Sequence, residues 1–118
     1  MKRGEVFEAR LDPTEGSEQA GNRPVVIVSR DVINQTSPVV VVVPCTTYRA
    51  PRRLYPSHVL LRASEGGLQV DSVALCEQIR AVAKARLGAR WGVLGAATLR
   101  RIEQALLITL DLPGQDLE

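Results

Sequence analysis

Five consecutive valines, Val39–Val43, lead into the segment P-C-T-T at 44–47. Branching at Cβ stiffens these side chains and suits them to a pleated surface rather than a helix. A run this apolar is not left on an exposed edge, so it reads as a central strand. A second run, Val25–Val28, follows a glycine-bounded polar stretch that delivers Arg23 and Pro24 directly into it. Two buried strands therefore each carry a small polar kit at one end. Glu18, Gln19 and Arg23 precede the first, and Thr46 and Thr47 follow the second. Loops on a rigid scaffold are where binding and chemistry concentrate, although the same pattern is compatible with two ordinary strands and ordinary turns.

The rest of the chain supplies partners for those strands. Residues 5–11 alternate, with Phe7, Ala9 and Leu11 on one face and Glu8 and Arg10 on the other, which is the period of a strand. Pro13 to Asn22 reads as a long loop, a length uncommon in a compact domain unless it has a task. Arg30–Ser37 reads as an irregular turn, 48–56 as a loop with two prolines, and His58–Leu61 as a short strand. After Glu65-Gly66-Gly67 a strand over Val70–Leu75 is expected to continue through Gln78 to Val82. Only the end is helical by pattern, from about Ala96 to Leu110, with Leu99, Ile102, Leu106 and Leu110 on one face and Pro113-Gly114 as the stop. Five or more short strands and one terminal helix predict a mainly β fold, a small twisted barrel capped by a C-terminal α-helix. At 118 residues the chain is long enough to fold as one domain spanning 1–118 with its own core.

Composition narrows the chemistry. Cys45 and Cys76 lie in apolar strand-like runs, and M-K-R-G-E-V-F-E turns acidic before a signal peptide could form. Reduced core cysteines and a cytoplasmic location are therefore expected, with no membrane span. His58 is the only histidine, and no carboxylate cluster has ligand spacing, so neither a metal nor another cofactor is expected. A lone histidine at the start of a short strand reads as structural, and it excludes a two-histidine ribonuclease mechanism within one chain. Arginine outnumbers lysine 13 to 2 at a net charge of only +2. GC-rich coding produces the same skew, but Arg49, Arg52 and Arg53 crowd one loop beside the second polar kit, which hints at a polyanionic ligand. Aromatics make up 3%, too few for a base-stacking platform. Arg23 before Pro24 is held extended, and can reach a phosphate or pair with Glu18 at the surface. Thr46 and Thr47 can donate hydroxyls to a phosphate or merely end a strand. Glu77, in C-E-Q-I-R, is expected within a strand, as a solvated residue or as a site acid.

Read together, these residues resemble the MazF/PemK family of toxin–antitoxin ribonucleases. The likeness runs through K-R-G-E-V-F, L-D-P-T-E-G-S-E-Q-A-G-N-R-P-V-V-I-V-S, V-P-C-T-T, P-S-H-V, D-S-V-A-L-C-E-Q-I-R-A-V and K-A-R-L-G, nearly the whole chain. It implies an SH3-like barrel that forms a two-fold homodimer with single-stranded RNA along the groove between subunits. It also implies metal-independent cleavage leaving a 2′,3′-cyclic phosphate and a 5′-hydroxyl. The family's catalytic arginine and threonine fall on Arg23 and Thr46, and Glu18 and Glu77 match acidic positions implicated in some members. Ser17, Gln19, Asn22, Thr47, Gln78 and the loop arginines Arg49, Arg52 and Arg53 become the expected RNA contacts. A cognate antitoxin with an acidic, extended tail is the implied protein partner. The rival function comes from a sister family of the same barrel that poisons DNA gyrase by binding alone. That mode depends on the end of the C-terminal helix and does not need Arg23 and Thr46.

Overall fold

Both apolar runs lie at the centre of one antiparallel sheet. The structure, a computed structural model, describes residues 1–114. In chain order it places β1 (Glu5–Arg10), β2 (Asn22–Ile27), α1 (Asp31–Thr36), β3 (Val39–Thr47), β4 (His58–Leu61), β5 (Ser72–Leu75), β6 (Arg80–Ala83), β7 (Leu87–Val93) and α2 (Ala96–Leu110). Short 3-10 turns sit at Glu65–Gly67, Cys76–Gln78 and Lys84–Arg86. The strand order is β4-β5-β3-β2-β1-β7, with β6 also on β3. No helix among the described residues is long and apolar enough to cross a membrane.

The valine-rich strands are apolar throughout because both of their faces are buried. Val25, Ile27, Val40 and Val42 join Ala9, Leu11 and Val82 in one cluster, with Phe7 packed against it. Val6, Val26, Val43 and Cys45 point the other way, into a second cluster closed by Val59, Leu61, Ile102 and Ala105. Alternating side chains along each strand thus feed two separate cores. The face expected for Phe7, Ala9 and Leu11 is the one observed.

Three expectations need correction, and one strand was not foreseen. Arg30–Ser37 is not irregular: it contains α1, pinned because Asn34 is buried and donates through Nδ2 to the Ser29 carbonyl at 2.8 Å. The strand expected over 70–82 is broken at Cys76–Gln78. Cys45 lies opposite Ala74, yet Val42, three residues earlier, lies opposite Arg80, and the three-residue turn takes up the difference. The segment Leu87–Val93 forms β7, a strand that pattern did not reveal, paired with β1 through two register irregularities. The buried face of α2 is Thr98, Ile102 and Ala105, with Leu99 and Leu106 half-buried and Leu110 exposed. Ile102 is the large side chain this face sends into the core, and the leucines fall at its margins.

Two contacts fix the flank of the sheet. A Cβ on Gly67, whose φ is +78°, would lie 2.2 Å from the Trp91 carbonyl oxygen, so the turn and β7 meet backbone to backbone. Glu5 of β1 accepts from Arg90 Nε of β7 at 2.5 Å and from the Lys2 amide at 2.5 Å. Burial raises the Glu5 carboxyl, and the bonds and charge of Arg90 with the Lys2 amide outweigh it, leaving the group below the ordinary carboxylate range.

Candidate functional site

Arg23 and Thr46 meet because β2 and β3 are antiparallel neighbours. Val25 pairs with Pro44, and the same register carried onward sets Arg23 level with Thr46. Both line a hollow of about 140 Å³ together with Pro24, Cys45, Thr47, Leu68, Gln69, Val70, Ser72 and Trp91. Thr46 and Thr47 do not follow the strand, as expected from the sequence, but form its last two residues, opposite Val73 and Ser72 of β5. The ladder therefore fixes their Cα–Cβ directions. Arg23 Nε donates to the Ala20 carbonyl at 3.1 Å, which orients the guanidinium without engaging its terminal nitrogens. Among the described residues those nitrogens and the Thr46 hydroxyl bond no protein group, and Arg23 makes no ion pair with Glu18. A fixed cation beside a free hydroxyl suits a phosphate.

A second hollow, of about 360 Å³, takes its β3 wall from Pro44, the residue before Cys45 of the first. Its lining is Glu18, Gln19, Pro44, Glu77, Gln78, Ile79 and Arg80. Glu77 is on the 3-10 turn, not within a strand, so the reading of it as an outward strand residue is corrected. The turn and the long loop are latched by one side chain. Gln78 Oε1 accepts from the Gln19 amide at 2.8 Å, and its Nε2 donates to the Ser17 carbonyl at 3.2 Å. Glu18 Oε1 accepts from the Glu15 amide at 2.8 Å, which shapes the same loop. Arg80, absent from the expected set, lines this hollow and reaches the Leu11 carbonyl at 3.5 Å.

The remaining expected contacts are more dispersed. Asn22 opens β2 opposite Arg10 and lines a separate hollow with Arg86 and Gly88. Ser17 is exposed on the loop. Arg49, Arg52 and Arg53 are exposed and line neither hollow, and Arg53 lies over the Tyr55 ring at 5.3 Å. Sequence reasoning missed Leu68, Gln69, Val70 and Trp91. The one available signal was that Trp91, the only tryptophan, sits beside a glycine.

Thiol chemistry is excluded although Cys45 lines the first hollow. Burial pushes Cys45 up to about 12, with Cys76 nearby adding to the shift. Burial likewise pushes Cys76 up to about 12, with Glu77 adding to it. Neither thiol is ionised near neutrality. Among the described residues no three His, Cys, Asp or Glu side chains gather into a metal-ligand set.

Comparison with known proteins identifies the family and agrees with the fold. The family model described as PemK-like, MazF-like toxin of type II toxin–antitoxin system matches residues 2–110. The chain is 44% identical over 117 residues to Endoribonuclease MazF9 of Mycobacterium tuberculosis, covering 95% of this chain and 98% of that protein. It is 41% identical over 112 residues to Endoribonuclease MazF of Staphylococcus saprophyticus, covering 95% and 92%. A solved mycobacterial endoribonuclease, in complex with its cognate antitoxin, superposes with a TM-score of 0.79 at 29% identity, covering 96% of this chain and 97% of that one. With the family model spanning nearly the whole chain and curated relatives more than 40% identical over most of its length, this protein belongs to the PemK-like, MazF-like toxins of type II toxin–antitoxin systems.

Proposed function

We propose that this chain is a toxin that acts as an endoribonuclease, cleaving single-stranded RNA at a short sequence without a metal ion. The observation that carries the reading is the pairing of Arg23 and Thr46 in one hollow, with donors free to meet a phosphate. In the proposed reaction the 2′-oxygen attacks the adjacent phosphorus and the bond from phosphorus to the 5′-oxygen breaks. The products are a 2′,3′-cyclic phosphate and a 5′-hydroxyl. Arg23 supplies positive charge and hydrogen bonds to the non-bridging oxygens as charge builds there, and Thr46 donates a further bond. Guanidinium stays protonated, so Arg23 is a poor base. The 2′-proton passes instead to a carboxylate of the second hollow, Glu77 or Glu18, and the leaving 5′-oxygen is protonated from solvent.

The functional unit in this reading is a cytoplasmic homodimer of one toxin domain per chain. Exposed apolar residues such as Val32, Val39, Val93 and Ile108 supply surface for a second copy. A cognate antitoxin with an acidic tail follows the same cationic groove as RNA. Ser17, Gln19, Asn22, Thr47 and Gln78 line the RNA path near the hollows, while Arg49, Arg52 and Arg53 meet flanking phosphates from their exposed loop.

Incubation of the purified protein with a long single-stranded RNA in EDTA tests the proposal. Cleavage that persists and leaves cyclic-phosphate ends is the expected result. Activity that vanishes on chelation and returns with magnesium overturns the chemistry. Inhibition of gyrase with no RNA cleavage would favour the rival mode.

A further inference from the structure

His58 opens β4, and its side chain is only 6% exposed. Both ring nitrogens are engaged. The Tyr55 amide donates to Nδ1 at 3.2 Å, so that nitrogen presents its lone pair and the hydrogen resides on Nε2. Nε2 lies 3.2 Å from Glu77 Oε2 and donates to it. The Tyr55 ring packs against the imidazole edge to face, with centroids 5.5 Å apart at 77°, which restricts rotation. The donor offered to Glu77 is therefore fixed in both tautomer and direction.

Glu77 needs such a partner. It sits on the Cys76–Gln78 turn with its side chain 41% exposed, and a glutamate there has three torsions to settle. Its two neighbours along the turn are already committed, Cys76 to the core and Gln78 to the loop latch. Without His58, no other protein group would hold the Glu77 carboxylate among the described residues.

We propose that His58 is a positioning residue for RNA cleavage, its Nε2–H holding the Glu77 carboxylate at the hollow it shares with Glu18. The inference rests on the reading above, in which Glu77 takes the 2′-proton. A fixed acceptor raises the fraction of bound substrate whose hydroxyl meets the base, so the effect belongs in kcat rather than in KM.

Variants that differ only in reach provide the test. The amide of His58→Gln extends to about the place of Nε2, whereas that of His58→Asn ends near Nδ1 and falls short of Glu77. On a single-site RNA, His58→Asn should lose on the order of tenfold in kcat, comparable to one charge-assisted hydrogen bond, with KM little changed. His58→Gln should recover most of that loss. In a Glu77→Gln background, His58→Asn should cost nothing further. Equal activity of His58→Gln and His58→Asn, or additive losses with Glu77→Gln, would overturn the positioning role while leaving the reaction intact. A Glu77→Gln variant that cleaves at the wild-type rate would instead remove Glu77 from the reaction, and His58 with it.

Discussion

Gly67 and Gly16 share a backbone conformation but not a neighbourhood, so replacing each by alanine separates torsional strain from steric conflict. Gly67 has φ +78° and Gly16 has φ +57°, and an added Cβ at Gly16 meets nothing within 4 Å. The left-handed conformation costs an alanine about 1–2 kcal/mol, and lower freedom of the unfolded chain returns about 0.5 kcal/mol. Gly16→Ala should therefore destabilise by about 1 kcal/mol. At Gly67 the added carbon would also lie 2.2 Å from the Trp91 carbonyl oxygen and 2.6 Å from its carbon. Trp91 sits at a register irregularity of β7, held between the paired Arg90 and Gly92, and its carbonyl is backbone that cannot swing aside as a side chain would, so an overpacking cost of about 3 kcal/mol is added. The sum of about 4 kcal/mol is a large part of the 5–15 kcal/mol typical of a folded domain. Urea titration followed by circular dichroism measures both. With a slope of about 1.5 kcal/mol per molar, Gly67→Ala should lower the midpoint by about 2.5 M and Gly16→Ala by less than about 1 M. Equal shifts would refute the claim that the turn and β7 are in backbone contact.

Arg23→Ala should reduce kcat for RNA cleavage by about 10²-fold or more, since it removes charge aimed at the transition state. Thr46→Ala should also impair cleavage while preserving the melting temperature, because one hydroxyl is lost and the β3 ladder is kept; wild-type rates in either variant would empty the site of its proposed role. The depressed Glu5 carboxyl gives a pH prediction of defined sign. Its stabilising contribution is complete above the ordinary value of 4.5 and is lost as pH falls through the lower folded value. Glu5→Gln should flatten the acid limb of a denaturation series, and an unchanged limb would show that the Arg90 pair does not matter.

The sequence was informative where one physical effect dominated. The periodicity of α2 gave bounds, Ala96–Leu110, that the structure reproduces, and the valine run could only be central. Leu87–Val93 was opaque because L-G-A-R-W-G-V contains two glycines and an alanine, which are poor strand formers, and shows no clean alternation. It is a strand because β1 offers an edge and because Gly92 admits the Gly66 backbone, with an added Cβ only 2.7 Å from its carbonyl carbon. The break at Cys76–Gln78 was hidden for a related reason. Apolar character continues through it, and the slip is set by β3, a partner distant in sequence. Of the candidate site, the two motifs marked Arg23 and Thr46, whereas Trp91 and Leu68 enter through pairings that no local pattern records. The His58 bond to Glu77 is equally non-local, which is why the histidine looked merely structural.

The walls around Arg23 and Thr46 come from four stretches of chain: β2, β3, β5 with its approach, and β7. A polypeptide halted on the ribosome before Trp91 would carry Arg23 and Thr46 yet lack one wall of the hollow they line. On the proposed reading, such a truncated product should not cleave RNA. The same geometry gives proteases an economical means of disarming the finished molecule. A single cut in the exposed 48–56 loop, followed by separation of the pieces, would part the arginine and threonine from the tryptophan without touching any of them.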